Sequence, residues 1–208
     1  MKKKILLVIA SLNQGGTQKI IIDLFNYWKQ VGHDIKIITF DNKFQNLNPR
    51  LKKFVTKLEL IKDSKTIFHS IINNLKRIYK LRKILKENQE SQILSFIYTT
   101  NILTIVANFG LKNHLIISER NDPEFQTISN IWSLLRNIFY RFADKVTANS
   151  QKACRTIRKY VPSKKVIFIP NHIFFKKKRL TSKKKKIILG VGRLHPQKGF
   201  DILIESFY

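Results

Sequence analysis

A doubly wound parallel sheet sandwiched between helices is the α/β fold class that this sequence predicts. Two observations lead there. Short apolar runs recur along the chain, and several are continuous rather than alternating, as expected for parallel strands covered on both faces. Longer stretches whose apolar residues return at helical spacing lie between them. Strand–helix–strand repetition of this kind implies right-handed crossovers. At 208 residues, 43% of them hydrophobic and 11% aromatic, the chain holds one full domain with a real core and little more.

In chain order the predicted strands are residues 5–10, 35–40, 55–61, 92–97, 114–118, 145–148 and 166–169. The predicted helices are 17–30, 67–86, 101–110, 125–142 and 150–160. The first strand follows Met1-Lys2-Lys3-Lys4 and mimics a signal peptide. Its apolar run is short, however, no small-residue cleavage site follows, and Asn13-Gln14-Gly15-Gly16 makes a turn, so a buried strand is the expectation. On 67–86 the stripe Ile67, Phe68, Ile71, Ile72, Leu75, Ile78 and Leu85 shares the helix surface with Lys76, Arg77, Lys80 and Lys83. On 125–142 the stripe is Ile128, Ile131, Trp132, Leu135, Phe139 and Phe142, and both stripes are expected to pack on the sheet.

The pattern breaks after Pro170. Residues 174–186 are rich in lysine and poor in apolar side chains, and are expected to be an exposed linker. It then restarts with a predicted strand at 187–191 and a helix opening near Asp201. One strand and part of a helix cannot bury a core of their own. The expected organisation is therefore a Rossmann-like domain over 1–170, a basic linker over 171–186 and an incomplete second unit over 187–208.

Two strand–helix junctions carry candidate chemistry. In Ser11-Leu12-Asn13-Gln14-Gly15-Gly16-Thr17, paired glycines let the backbone approach a ligand, and the helix start that follows offers free N–H groups to an anion. The spacing is not G-x-G-x-x-G, so the dinucleotide fingerprint is absent, and a plain tight turn remains an alternative at this point. In Gly190-Val191-Gly192-Arg193-Leu194-His195-Pro196-Gln197-Lys198-Gly199-Phe200 a glycine-terminated strand delivers an arginine, and a lysine precedes the next helix. A guanidinium fork with a compact ammonium suits a diphosphate.

Other chemistries find no support. The five histidines do not cluster at metal-ligand spacing, so no metal is expected. No G-x-S-x-G elbow occurs. Glu119, Asp122 and Glu124 lie too close together in one loop to read as a glycosidase pair, and fit acceptor contacts or solvation better. The single Cys154 excludes an intramolecular disulfide and suits a reducing compartment.

The charge is the outlier. Lysine and arginine number 40 against 13 acidic residues, a formal +27. Such a surface is drawn to polyanions, including nucleic acid, anionic lipid and phosphorylated substrates. The aromatics fall within apolar stripes rather than among the cations, which ranks nucleic acid last. No apolar run reaches about 18 residues, so the expectation is a cytoplasmic protein able to rest on the inner face of the membrane.

Taken together, Gly15-Gly16, Ile169-Pro170-Asn171, Gly192-Arg193-Leu194 and Lys198-Gly199-Phe200 resemble, in this order, the retaining glycosyltransferases of family 4, which have the GT-B fold. The resemblance implies transfer of a sugar from a nucleotide-sugar donor, with retention and without an obligatory metal or other cofactor. It implies that Gly15, Gly16, Gly192, Arg193 and Lys198 bind the donor phosphates, the cations stabilising the departing diphosphate. It further implies that Ser118, Glu119, Asn121 and Asp122 form an acceptor loop facing the interdomain cleft. Arg120, near where many relatives carry a histidine, becomes the candidate catalytic residue. The loop is similar to those of members acting on polysaccharide or lipid-linked acceptors.

There are departures. Gln18 stands where relatives have a glutamate, and His172 where they have a glycine. Tyr208 comes before the family's glutamate pair, so this polypeptide by itself is expected to have little or no turnover, or to need a second chain that completes the donor side. The alternative is a non-catalytic module that binds acceptor or membrane.

Overall fold

The computed structural model describes residues 2–13, 15–41, 48–58, 66–172, 186–192, 194 and 198–207. The chain divides into two compact units, Met1–His172 and Ile173–Tyr208. The first is built on a seven-stranded, wholly parallel sheet.

Its elements are β1 (Lys4–Ile9), α1 (Gly16–Gln30), β2 (Asp34–Thr39), α2 (Pro49–Lys52), β3 (Val55–Lys57) and α3 (Ile67–Glu87). There follow β4 (Gln92–Phe96), α4 (Tyr98–Asn108), β5 (His114–Glu119), α5 (Asn130–Phe139), β6 (Lys145–Ala148), α6 (Gln151–Ile157) and β7 (Val166–Phe168). The sheet order is β3-β2-β1-β4-β5-β6-β7. The chain winds outward from β1 to one side, then returns and winds to the other. The direction reverses between β1 and β4, and at such a switch point the sheet's carboxyl edge opens a crevice.

Strand β1 shows why a continuous apolar run is needed. Successive side chains point to opposite faces. Leu6 and Val8 join Leu81 and Leu85 of α3 and the residues of α4 in one core, while Ile5, Leu7 and Ile9 join Ile21 and Phe25 of α1 in the other. Each fully buried Leu or Ile contributes about 1.5–3 kcal/mol. Helices α3 to α6 thus cover one face and α1 with α2 the other, as right-handed crossovers require.

Three expectations are corrected. The helix expected over 125–142 begins only at Asn130 and gives way to a 3-10 turn at Tyr140–Phe142. The chain before it is held open, because Arg136 donates to the Pro123 carbonyl at 3.3 Å and to Gln126 Oε1 at 3.1 Å. The strand expected over 55–61 is ordered as a strand only to Lys57, and residues 59–61 lie outside the described residues. The strand expected at 187–191 is not one: Ile187, Ile188, Leu189 and Val191 are 67%, 65%, 80% and 86% exposed, in irregular backbone. An extended run needs neighbouring strands for its N–H and C=O groups, and none pairs with it among the described residues.

The second unit contains α7 (Phe200–Glu205), one residue earlier than the start expected near Asp201.

Candidate functional site

The carboxyl edge of the sheet at the switch point is built from three junctions. The first, after β1, is pinned to the end of β2. The amides of Phe40 and Asp41 and the Thr39 hydroxyl all donate to the Ala10 carbonyl, at 3.1, 3.0 and 3.0 Å. The Asp41 carboxylate accepts from Ser11 Oγ at 2.8 Å and from Asn13 Nδ2 at 3.0 Å. The turn therefore delivers Gly15 and Gly16 to the N-terminus of α1 in a fixed place. No side chain caps that terminus, which leaves its first N–H groups unsatisfied by the helix itself.

The two glycines differ. A Cβ on Gly15 would come within 2.5 Å of Gln18 Oε1, the end of a flexible side chain. A Cβ on Gly16 would meet nothing within 4 Å, and its φ is not in the left-handed range. The fold does not require glycine at Gly16.

The second junction joins β4 to α4. Ile97, a β-branched residue, has φ 73°, a conformation such residues rarely hold and one that costs about 1–3 kcal/mol. This bend starts α4 immediately after the strand, again with no side-chain cap. Between the β1 and β4 ends lies an open pocket of about 310 Å³, lined among others by Ala10, Phe40, Asn74, Arg77, Thr100 and Trp132. Arg77 Nη1 donates to Asn74 Oδ1 at 2.7 Å and its guanidinium carbon stands 5.9 Å from the Phe40 ring centroid. Burial pushes the Arg77 guanidinium below its ordinary pKa. None of the residue types predicted for the site pointed to Arg77 or Trp132. Their only sequence signal was a place on two helical patterns, Arg77 among the cations beside one apolar stripe and Trp132 within the other.

The third junction follows β5, and here the predicted loop divides. Ser118 and Glu119 belong to the strand and are 2% and 1% exposed, whereas Asn121 is exposed and Asp122 half-buried. Glu119 is an internal acceptor rather than a solvated loop residue. Tyr140 donates to its Oε2 at 2.7 Å and the Arg120 amide to its Oε1 at 3.2 Å. Burial raises its pKa above the usual carboxylate range. Tyr140, the charge of Arg136 and the amides of Arg120 and Asn121 pull the other way. Tyr140 is itself fully buried and accepts from Asn101 Nδ2 at 3.1 Å. Asp122 accepts from the Glu124 amide at 3.0 Å, closing a local turn.

Arg120 reaches across the edge to the chain after β7, donating to Asn171 Oδ1. Two segments singled out separately in the sequence thus meet. The next residue, His172, pairs with Asp23 of α1 at 3.1 Å.

In the second unit, Arg193 lies outside the described residues, while Gly192 and Lys198 are exposed. Cβ atoms on Gly190 and Gly192 would come within 2.9 and 3.2 Å of the Phe200 ring, so packing within this unit accounts for both glycines. Gly199, with φ 61°, makes the left-handed entry to α7. Among the described residues no three His, Cys, Asp or Glu side chains converge as a metal site would need.

Residues 14–174 match the profile of Glycosyltransferase Family 4. The chain belongs to glycosyltransferase family 4. A relative from Campylobacter jejuni subsp. jejuni serotype O:2, GalNAc-alpha-(1->4)-GalNAc-alpha-(1->3)-diNAcBac-PP-undecaprenol alpha-1,4-N-acetyl-D-galactosaminyltransferase, is 33% identical over 198 residues. That match covers 94% of this chain and 54% of the relative, so this family member spans about half of the relative's length.

Solved structures share the fold. The lipopolysaccharide outer core galactosyltransferase WaaB in its apo form superposes with TM-score 0.64 at 14% identity, over 84% of this chain and 47% of that one. A glycosyltransferase from Rickettsia africae gives TM-score 0.57 at 19% identity, over 83% and 44%. A UDP-N-acetylglucosamine 2-epimerase gives 0.56 at 14%, over 81% and 48%. Transferases and an epimerase on one scaffold mean that the fold alone does not choose the reaction.

Proposed function

We propose that this chain supplies the acceptor side of a retaining glycosyltransferase, one that moves a sugar from a nucleotide-diphosphate donor to a polysaccharide or lipid-linked acceptor. The observation that carries this is the family match over residues 14–174, from the start of α1 through β7. The Campylobacter relative is named for an undecaprenol-linked saccharide, which supports the lipid-linked class of acceptor.

In this reading the donor diphosphate meets the N-terminus of α1 at Gly15 and Gly16, where N–H groups and the helix dipole favour an anion. The open space around Gly16 supports the assignment, because a ligand explains a glycine that the fold does not need. For Gly192, Arg193 and Lys198 a donor-phosphate role rests on the motif resemblance alone. Arg120 faces the reacting end, oriented by Asn171, with Asn121 and Asp122 beside it for acceptor hydroxyls. Ser118 and Glu119 act from beneath as parts of β5. No cofactor other than the donor is invoked. Whatever part of the donor side this chain does not supply is contributed by further residues in cis or by a second chain.

The enzyme works at the inner face of the cytoplasmic membrane. No helix among the described residues is long and apolar enough to cross a bilayer. Yet Phe68, Ile71, Leu75 and Tyr79 of α3 are 69%, 53%, 59% and 73% exposed, in one stripe flanked by exposed Lys76, Lys80 and Lys83. A basic amphipathic helix of this kind suits anionic lipid. The same stripe is what favours the second reading, a non-catalytic module that holds acceptor at the membrane.

Titration of the purified chain with UDP, GDP and UDP-sugars at two salt concentrations tests the donor assignment. Binding that follows the diphosphate and survives the higher salt is expected. Gly16→Ala should weaken it about tenfold or more, while leaving stability unchanged or raised by up to about 1 kcal/mol. Binding that fades with salt whatever the base, and ignores Gly16→Ala, would leave the module reading in its place.

A further inference from the structure

We infer that Arg136 is the positioning residue of the acceptor loop, its buried guanidinium holding in place the segment that presents Arg120, Asn121 and Asp122. The inference rests on the transferase reading above and adds to it the group on which the loop's geometry depends.

The chain from Arg120 to Ser129 forms neither helix nor strand, so no backbone ladder fixes it. Side chains must do so instead. On its outer side, Lys152 of α6 pairs with Glu124 at 3.6 Å and stands 3.8 Å over the Phe125 ring. Lys152 and Glu124 are about half exposed, at 48% and 49%, and a pair so solvated contributes little. Asn149 adds one hydrogen bond, to the Arg120 carbonyl at 3.2 Å. The inner side is held differently. Pro123 is buried, whereas the residues on either side of it, from Asn121 to Ser129, are not. Arg136, 4% exposed on α5, donates to the Pro123 carbonyl at 3.3 Å and to Gln126 Oε1 at 3.1 Å.

The same side chain acts on the start of the loop. The buried Glu119 carboxylate accepts from the Arg120 amide at 3.2 Å and from the Tyr140 hydroxyl at 2.7 Å, and the charge of Arg136 favours its ionised form. One guanidinium thus governs both the root and the middle of the loop. Hydrogen bonds from a charged donor are stronger than neutral ones, and salt screens buried groups least. The planar fork suits two acceptors three residues apart, where an ammonium is a compact point charge. Being buried, Arg136 reaches substrate only through the loop that it holds.

The test compares Arg136→Lys, Arg136→Met and the double change Glu119→Gln with Arg136→Met. Each purified chain is followed by thermal melts and by NMR of the Asn121 and Gln126 amides and the Arg120 Nε–H. Arg136→Met leaves the Glu119 carboxylate buried without its counter-charge and is expected to lower Tm. The double change removes both charges and is expected to regain part of that loss. Its loop signals should nevertheless stay displaced or broadened, because the bonds to Pro123 and Gln126 are still missing. Arg136→Lys keeps the charge and should melt closer to the wild type, with the same loop signals disturbed. Loop signals at wild-type positions in the double change or in Arg136→Lys would make Arg136 a fold residue only and overturn the inference. A transfer assay with a donor-side half added separates this from the reaction. Turnover by Arg136→Lys is expected to fall about tenfold to a hundredfold with nucleotide affinity unchanged. Wild-type turnover on a displaced loop overturns the positioning role and leaves the transferase reading standing. Absence of transfer by every form, wild type included, sinks that reading while the NMR result for the loop stands.

Discussion

Glu119 shows how much a single side chain can organise. Its carboxylate sits 1% exposed at the end of β5, facing Tyr140, Arg136 and the amides of Arg120 and Asn121, with Tyr98 and Tyr160 sensing its charge. It therefore fixes the start of the loop that presents Arg120, Asn121 and Asp122. Desolvation raises its folded pKa above the unfolded value near 4.5. The folded state then binds more protons, so Glu119's contribution to stability is fully present below the unfolded pKa and is lost as pH rises through the folded pKa. Compared with Glu119→Gln across a pH series of denaturant melts, the wild type is expected to lose ground as pH rises from 4 toward neutrality. A difference that stays flat with pH would mean that Glu119 does not titrate as buried. The sequence marked Glu119 only as one member of a polar loop. Its burial depends on Tyr140 and Arg136, which arrive from 17 or more residues away along the chain and leave no local pattern.

Elements were legible where they are continuous and long. Strand β1 and helices α1 and α3 lie within a residue or two of the predicted spans, since a both-faces-buried strand and a 3.6-residue stripe are hard to mistake. What the stripe could not say is which of its members face the core. Among the described side chains of α3 only Leu81 and Leu85 are fully buried, while Phe68, Ile71, Leu75 and Tyr79 face outward. On α5, Ile131 of the predicted stripe is 66% exposed, while Leu134 and Ile138, which lie off that stripe, are 59% and 43% exposed. Sheet curvature and neighbouring helices decide that, not periodicity. The two faces of α3 make opposite predictions. Leu81→Ala should cost about 2–5 kcal/mol in a denaturant melt. The triple change Ile71→Ser, Leu75→Ser, Tyr79→Ser should leave stability within about 1 kcal/mol yet abolish sedimentation with anionic vesicles. Vesicle binding that survives the triple change would place the membrane contact elsewhere. The start of α5 and the absence of a strand at 187–191 were not legible, because the first is set by Arg136 bonding to Pro123 and Gln126, and the second by missing strand partners.

At the scale of the molecule, topology does most of the work. Winding out from β1 in both directions leaves a crevice between β1 and β4, and the first unit's candidate residues lie along the carboxyl edge of the sheet. Gly15-Gly16, Arg120 with Asn171, and the Arg77 pocket come from segments far apart in sequence. The fold class and the family were legible from strand–helix alternation and from motif order. The pocket was not, since its residues share no motif. The +27 charge fits a protein that handles phosphorylated, lipid-linked material at an anionic surface. Because the same scaffold supports an epimerase as well as transferases, the decisive property is the fate of the sugar. The most direct measurement incubates the chain, alone and with a donor-side half added, with nucleotide-sugars and a polyprenyl-diphosphate-linked saccharide, and follows the anomeric signals by NMR. A new glycosidic bond on the acceptor, formed with retention and only when acceptor is present, is the predicted result. Donor that is epimerised, hydrolysed or left untouched under every one of these conditions would contradict it.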